Sequence, residues 1–220
     1  MSLEDMRPRL ENVKKEQQQE VYGRTYTLHT FTSDVHWESL REVLSGTLSF
    51  ETLQRIPQVD GTAIFYPIGR IAMFSLFDEE GLTYLTIFAK RSISENSANK
   101  INYVLTEGED EPSQIVFNRR IPSTAIDQFL TNHSHTKKMG GWRDLDLVGI
   151  NTSSLHGSDI DRFSGTQQYD LHGRKKYIMI DLHTIRKTIR ISEQGIVTFY
   201  GNITKQDILS FIRREIIPLL

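Results

Sequence analysis

The chain has 220 residues, of which 38% are hydrophobic and 25% are charged, and its formal net charge is -2. This composition is that of a globular protein and not of a disordered one, and the length suffices for one large domain or two small ones. The sequence has no apolar run long enough for a transmembrane helix. It also has no cysteine, which excludes disulfides, thiolate metal sites and cysteine nucleophiles.

The N-terminal residues 1–20 are predominantly polar and charged. Because this segment has few apolar residues to bury, we expect a mobile arm or a short surface helix after Pro8. The segment lacks the apolar stretch of a signal peptide, which predicts an intracellular, cytoplasmic protein.

The first half of the chain, residues 21–110, is predicted to contain a strand, a helix, further strands and a second helix. Residues 22–32 alternate with the two-residue period of a strand. Residues 33–46 are predicted to form a helix, because apolar residues recur at helical spacing and Gly46 would end it. These recurring residues are Trp37, Leu40, Val43 and Leu44. Residues 62–68 are a further strand candidate.

One order of elements occurs twice: an apolar run, a tight turn closed by glycine, a second apolar run and a helical pattern. The first copy spans residues 70–105 with Gly81 in its turn, and the second spans residues 187–216 with Gly195. The first hairpin is apolar on both faces, whereas a strand that is solvated on one face alternates. If helices cover one face, the other face meets a partner, a ligand or a second subunit. The residues concerned are Ile71, Met73 and Phe77 on one side and Ala72, Phe74 and Leu76 on the other.

The second half, residues 111–220, follows an acidic, proline-containing junction at residues 107–113. A helix is predicted over residues 122–130, and Thr204 with Asp207 predicts the capped start of a C-terminal helix. The predicted strands are residues 114–118, 144–150 and 177–183, followed by the second hairpin. We therefore predict an α+β fold of two related halves. Each half has the order strand, helix, antiparallel strands, helix, and together they form a mostly antiparallel sheet with helices on one face.

The stretch IRISEQGIVTFYGNITKQDIL, residues 189–209, resembles the closing hairpin and helix of a TATA-binding-protein half-repeat. The resemblance implies two such halves that form one curved antiparallel sheet with helices on its convex side. That family bends DNA by inserting paired phenylalanines into the minor groove. At the matching strand positions this chain has Ile191 in the second copy and Leu76 or Phe77 in the first. Its first half is also acidic, so the resemblance predicts a TATA-binding-protein-like fold and not a TATA-type activity.

Charge is distributed unevenly along the chain. Residues 1–110 have a net charge of -6, and residues 111–220 have a net charge of +4. A basic surface attracts polyanions, and aromatic side chains near it can stack on bases. The candidate nucleic-acid-binding residues are Arg174, Lys175, Lys176, Arg186, Lys187 and Arg190, with Tyr177, Phe199 and Tyr200 as stacking candidates. The alternative is a solvated sheet edge that lysines protect from aggregation.

Residues 131–176 are predicted to be a long loop insertion, because they hold six of the 14 glycines and four of the 7 histidines. Asp144 and Asp146 would point the same way on a strand within it, as two carboxylates must to share a divalent cation. They are the candidate catalytic residues of a metal-dependent enzyme, and the alternative is that they face water. Weaker candidates for metal ligands are His133, His135, His156 and Asp159.

The sequence supports three functional hypotheses. The first is a non-enzymatic intracellular binding module whose partner is nucleic acid or another protein. The second is a metal-dependent phosphoryl-transfer or hydrolytic enzyme at Asp144 and Asp146. The third is a homodimer that buries the apolar sheet face. The sequence contains no P-loop, nucleophile elbow or dinucleotide fingerprint, and we expect neither a cofactor nor a membrane partner.

Overall fold

A computed structural model describes residues 2–106 and 116–220, with Arg91 described by its backbone alone. The chain divides into two compact units, Met1–Phe117 and Asn118–Leu220, and each contains a five-stranded antiparallel sheet. The predicted α+β class is therefore confirmed, with two sheets in place of one shared sheet. None of the described helices is both long enough and apolar enough to cross a membrane.

The N-terminal unit consists of α1 (Leu3–Leu10), β1 (Lys14–Val21), β2 (Arg24–Glu38), β3 (Val43–Pro57), β4 (Ala63–Glu79), β5 (Leu82–Phe88) and α2 (Arg91–Thr106). Each strand pairs with the next one along the chain, so the sheet is a meander. Both helices pack on one face of this sheet. The core beneath them includes Leu44, Leu48, Phe50, Phe74, Ile101 and Leu105.

The first 20 residues are an integral part of this unit. Ser2 caps α1 by accepting a hydrogen bond from a backbone amide in the first turn. Leu3, Met6 and Leu10 are buried in the core. The Thr32 hydroxyl donates a hydrogen bond to the Leu10 carbonyl, which ties the end of α1 to β2. The N-terminal segment therefore forms a helix with a buried apolar side, followed by the edge strand β1.

The helix predicted over residues 33–46 is wrong. This segment forms the end of β2, a turn and the start of β3, and Trp37 pairs with Leu44 across the hairpin. Cross-strand partners lie on the same face of a sheet. Apolar partners on the two sides of a turn can therefore have the same spacing along the sequence as residues on one face of a helix. Gly46 has a different role from the predicted helix stop. A Cβ there would come within 2.7 Å of the Phe74 ring, so the glycine makes room for that ring on the next strand.

The first predicted hairpin and helix are present as β4, β5 and α2. Glu80 and Gly81 form the turn with φ angles of 51° and 78°, which suit a tight two-residue hairpin turn. One face of β4 is buried beneath the helices. On the opposite face Phe77 is buried, whereas Ile71 and Met73 are 68% and 47% exposed.

The C-terminal unit consists of α3 (Ser123–Asn132), β6 (His135–Arg143), β7 (Ser153–His156), α4 (Ser164–His172), β8 (Arg174–Leu182), β9 (Lys187–Ser192), β10 (Val197–Tyr200) and α5 (Lys205–Phe211). Its sheet has the strand order β10-β9-β8-β6-β7. Helix α5 continues into a π-helical turn, Ile212–Ile216. The core between the sheet and helices α3 and α5 includes Ile126, Phe129, Ile178, Ile180, Ile189, Ile191 and Phe211.

Local signals in this half predicted several elements correctly. The confirmed elements are the helix at residues 122–130 (α3), the strand at residues 177–183 (β8), the second hairpin (β9 and β10) and the capped helix α5. The Thr204 hydroxyl accepts a hydrogen bond from the Asp207 amide, as a helix cap does. The strand predicted at residues 114–118 is absent over residues 116–118. The rest of that strand and the acidic junction lie outside the described residues.

Residues 131–176 are not a loop insertion. They contain β6, β7, α4 and the first residues of β8. The strand predicted at residues 144–150 is a turn region, in which Asp144 has a φ of 53°. The glycine content was misleading, because two of these glycines lie inside β6 and make room there for neighbouring aromatic rings.

Candidate functional site

The predicted basic residues do not form one continuous patch. Arg174 and Lys176 are exposed at the start of β8, and Arg186 is exposed in the turn beyond the other end of that strand. Strand β8 spans 9 residues, or about 30 Å. Arg190 lies in the middle of β9, and Lys187 lines a separate cleft beside α5. Arg174 and Lys176 therefore lie at one end of β8 and Arg186 lies beyond the other end. Arg190 lies between these two ends, on the neighbouring strand.

Lys175 is not available to a phosphate, which corrects its prediction as a nucleic-acid contact. Its side chain is only 4% exposed, and its Nζ lies 2.5 Å from Asp127 Oδ1 and 2.7 Å from Asp170 Oδ1. Burial alone would lower the pKa of Lys175, but the hydrogen bonds and charges of the two aspartates outweigh burial and raise it. Lys175 therefore stays charged and links β8 to α3 and α4.

Asp170, on α4, is the centre of this buried ion-pair network. Its carboxylate accepts a hydrogen bond from the Trp142 indole at 2.7 Å and lies 3.5 Å from Lys137 Nζ. Lys137 is as buried as Lys175, and it makes a second ion pair with Asp161 at 2.6 Å. Burial would raise the pKa of Asp170, but the hydrogen bond from Lys175 and the charges of both lysines lower it below its usual value. The network holds α4 against the sheet.

The face of the C-terminal sheet opposite α3 and α5 presents polar and aromatic side chains. We call it the helix-free face and define it by Tyr177, Met179 and Asp181 on β8, Thr188, Arg190 and Ser192 on β9, and Thr198 and Tyr200 on β10. These residues alternate with the isoleucines that face the core. Tyr200 is 44% exposed. The helix-free face therefore offers rings, a guanidinium and hydroxyls in neighbouring positions.

A stacked pair lies near the centre of the helix-free face. The Arg190 guanidinium carbon lies 4.0 Å from the centre of the Tyr177 ring. The ring lies over Gly141 of β6, where a Cβ would overlap it. Gly140 makes room in the same way for Trp142 on the opposite face. Gly141 is not among the site residues predicted from the sequence, although two adjacent glycines inside a strand signal a close approach on each face.

Two acidic residues, Asp181 and Glu193, lie close to Arg190 in the sheet or in the sequence, but both have other partners. Asp181 accepts a hydrogen bond from Thr188 at 2.6 Å and lies 3.1 Å from Lys138. The hydrogen bond from the Thr188 hydroxyl is the main cause that holds the pKa of Asp181 below its usual value. The hydrogen bond and charge of Lys138 lower this pKa further. Glu193 pairs with Arg143 at 2.7 Å. Within the described ranges of the chain, no carboxylate forms an ion pair with Arg190.

Asp144 and Asp146 lack the geometry that the sequence predicted. Both are exposed in the turn after β6, so strand alternation does not align them. Asp144 lies 3.6 Å from the Arg143 guanidinium. Across residues 2–106 and 116–220, no group of three or more histidine, aspartate and glutamate side chains is placed to hold a metal ion.

The weaker candidates for metal ligands are occupied by local contacts or lie apart from one another. Three of them lie close to a charged side chain: Glu215 for His133 (2.9 Å), Asp161 for His135 (3.8 Å) and Arg162 for Asp159 (2.9 Å). The His133 ring also stacks on Phe129, with ring centres 4.3 Å apart. His156 is exposed on β7. The His133–Glu215 and His135–Asp161 contacts join separate elements, whereas the Asp159–Arg162 pair is local in sequence. Within the described residues, these side chains do not form a group placed to hold a metal ion.

A cleft of about 650 Å³ opens beside α5. It lies between the β8–β9 turn, the loop after β10, and α5 with its π-helical extension. The apolar residues that line it are Ile185, Ile203 and Phe211, and the charged ones are Lys187, Asp207 and Arg214. This cleft was not foreseen from the sequence, because its lining residues come from three segments.

The residues that the sequence resemblance matched to the inserting phenylalanines of TATA-binding proteins are buried. Leu76, Phe77 and Ile191 are each no more than 3% exposed. They cannot insert between base pairs while they remain in the cores, so these side chains do not act as wedges. The chain matches no protein-family model and no curated protein sequence.

Proposed function

We propose that the C-terminal unit binds single-stranded nucleic acid in the cytoplasm, on its helix-free face. The observation that carries this proposal is the Arg190 guanidinium stacked on the Tyr177 ring. Bases stack on guanidinium planes and on aromatic rings in proteins that bind single strands. Tyr200, on β10 beside the strand of Arg190, offers a further ring, which is exposed.

The distribution of charge supports a strand that crosses the sheet along β8. Arg174 and Lys176 at one end of β8 and Arg186 beyond the other are exposed and can contact phosphates. The whole unit, residues 118–220, has a net charge of +5. This sign favours a polyanion over a basic partner. The hydroxyl side chains of the helix-free face can donate hydrogen bonds to base edges and accept them.

Fluorescence anisotropy with the full chain and labelled single-stranded RNA or DNA of about 12 nucleotides tests this proposal. Arg190→Gln should weaken binding about tenfold, because it removes a charge and a stacking plane. Arg162→Gln is the matched control, since Arg162 is exposed in the same unit and paired with Asp159. The proposal fails if binding does not saturate at low salt, or if both substitutions have the same effect. Tighter binding to an acidic peptide than to either oligonucleotide would instead favour a protein partner.

A second candidate is a homodimer through the N-terminal sheet. Ile71 and Met73 are exposed on the sheet face opposite α1 and α2. Phe31 lies on the same face, because both Phe31 and Ile71 pair with Ser49 of the strand between them. Exposed apolar residues that adjoin one another favour association. Sedimentation velocity should show a dimer that Ile71→Ser with Met73→Ser converts to a monomer. A wild-type monomer at all concentrations would exclude this candidate.

We also infer that the two units descend from one duplicated segment of the TATA-binding-protein type. Supporting this, β3–β4–β5–α2 and β8–β9–β10–α5 are both three-stranded meanders followed by a helix. An experimental structure of each unit tests the inference. The two meanders and their helices should superpose with the same helix direction, and helices that run in different directions would contradict it.

A further inference from the structure

The cleft beside α5 combines apolar surface with two cations. Ile185 and Ile203 contribute apolar surface beside the buried Phe211 ring. Lys187 and Arg214 contribute positive charge from different segments. Its volume of about 650 Å³ is in the range of sites that hold small organic ligands. None of its lining residues belongs to the helix-free face, so it is a separate site.

Both cations have hydrogen bonds to neutral acceptors. Lys187 Nζ donates to the Asn202 carbonyl at 2.6 Å, which fixes the ammonium between the β8–β9 turn and the loop after β10. Arg214 Nε donates to the Ser210 carbonyl at 3.3 Å. Among the described residues, neither cation forms an ion pair with a carboxylate. Both can therefore donate charge-assisted hydrogen bonds to an anion without breaking an existing ion pair.

The remaining charged group of the cleft has a structural partner. The Asp207 carboxylate accepts a hydrogen bond from the Thr204 hydroxyl at 2.7 Å, and the Asp207 amide donates to the same hydroxyl, so Asp207 belongs to the cap of α5. With Asp207 included, the three charged groups of the cleft have a net charge of +1. The site thus favours an anion, and a dianion more than a monoanion.

The backbone around Arg214 is unusual. Arg214 lies in the π-helical turn Ile212–Ile216, and turns of this kind often occur at functional sites. The next residue, Glu215, contacts His133 Nε2 at 2.9 Å, which anchors the turn to the end of α3. The turn that carries Arg214 is therefore anchored to the end of α3.

We propose that this cleft binds a phosphate monoester that carries a small apolar or aromatic group. The dianionic phosphate lies between Lys187 and Arg214, and the organic group rests on Ile185 and Ile203. The same chemistry is presented by a free small-molecule phosphate and by the 5′-phosphorylated end of a nucleic-acid strand. Binding of the free ligand does not depend on the helix-free face.

Titration of the full, isotope-labelled chain with phenyl phosphate, followed by amide chemical shifts, tests the proposal. The shifts should concentrate in residues 185–187, 202–204 and 207–214. Lys187→Gln and Arg214→Gln should each weaken binding about tenfold, as expected when one charge-assisted hydrogen bond is removed. Arg214 is exposed, so its substitution provides a test even if Lys187→Gln disturbs the fold. Arg190→Gln should leave the affinity for phenyl phosphate unchanged, which separates this site from the helix-free face.

Three related probes show which part of the ligand is recognised. Phenol, inorganic phosphate and benzoate should each bind more weakly than phenyl phosphate, because phenol lacks the phosphate, inorganic phosphate lacks the apolar group and benzoate lacks the second negative charge. If inorganic phosphate binds as tightly, or if the shifts spread over the helix-free face, the proposal is wrong. It is also wrong if both substitutions leave the affinity intact.

A pair of oligonucleotides distinguishes the two sources of the ligand. If the cleft holds a strand end, a 5′-phosphorylated oligonucleotide binds more tightly than its 5′-hydroxyl counterpart, and Arg214→Gln removes the difference. If phenyl phosphate binds but the two oligonucleotides do not differ, the ligand is a free small molecule. If phenyl phosphate does not bind at all, the proposed site is refuted.

Discussion

Lys175 Nζ lies 2.7 Å from Asp170 Oδ1, and the lysine side chain is 4% exposed. This pair joins the start of β8 to α4, and Asp127 extends it to α3. The same interactions remove Lys175 from the set of cations that can reach a ligand, while its neighbours Arg174 and Lys176 remain exposed. Adjacent basic residues in one run therefore have opposite roles, one in stability and two in the proposed binding surface.

Substitution of Lys175 should destabilise the C-terminal unit strongly. Lys175→Ala leaves two carboxylates without their buried partner, which we expect to lower the free energy of unfolding by about 3–5 kcal/mol. Lys176→Ala is the matched control, because its exposed side chain should change this free energy by less than about 0.5 kcal/mol. Urea unfolding measures both. Equal, small effects would show that the buried pair contributes little.

The contribution of Asp170 should depend on pH with a defined sign. Its pKa is lowered in the folded state, so its stabilising effect is complete above its unfolded pKa of about 3.9 and is lost as pH falls through the folded pKa. Asp170→Asn should therefore be less stable than wild type at neutral pH, and the difference should narrow below about pH 4. Unfolding free energies measured across this range test the prediction. A gap that stays constant with pH would contradict it.

Gly141 should be required for the stacked pair on the helix-free face. In Gly141→Ala the new methyl group overlaps the Tyr177 ring, so the ring and Arg190 must move. We expect a decrease of about 1–3 kcal/mol in the free energy of unfolding, together with weaker nucleic-acid binding. Gly69→Ala is the control, because a Cβ at Gly69 meets no atom within 4 Å. Thermal unfolding and anisotropy report the two effects, and unchanged binding by Gly141→Ala would show that the stack is dispensable.

The N-terminal helix should be necessary for the stability of its unit. Leu10 is completely buried, so Leu10→Ala should lower the free energy of unfolding by about 2–5 kcal/mol. Glu11→Ala is the control, since the ion pair of Glu11 with Arg7 is solvent-exposed and 4.0 Å long. Denaturant unfolding compares the two variants. If Leu10→Ala unfolds like wild type, α1 is a dispensable arm.

The elements that the sequence predicted well depend on interactions between near neighbours. The hairpin of β9 and β10 follows from a turn at Gly195, and α5 follows from the cap formed by Thr204. The segment of Trp37 and Leu44 was mistaken for a helix because its pattern is set by pairing between strands. The spacing of apolar residues along one segment does not show whether they pair with each other across a turn.

The candidate site was predictable in part for the same reason. Exposure of Arg174, Lys176 and Arg186 is the default for charged residues and needs no knowledge of the fold. Burial of Lys175 depends on Asp127 and Asp170, which are brought to it by α3 and α4. The stack of Arg190 on Tyr177 and the cleft beside α5 likewise combine residues from separate elements. These features exist only after the sheet and helices have been assembled.

The salt dependence of nucleic-acid binding tests the central claim most directly. The association constant of the full chain for a single-stranded RNA of about 12 nucleotides is measured over a series of salt concentrations, with wild type and with Arg174→Gln, Lys176→Gln and Arg186→Gln combined. We predict that its logarithm falls linearly with the logarithm of salt concentration. The triple substitution should reduce the slope by about 2, or about 0.7 for each phosphate that is no longer neutralised. A slope that the three substitutions leave unchanged would contradict the proposed binding surface.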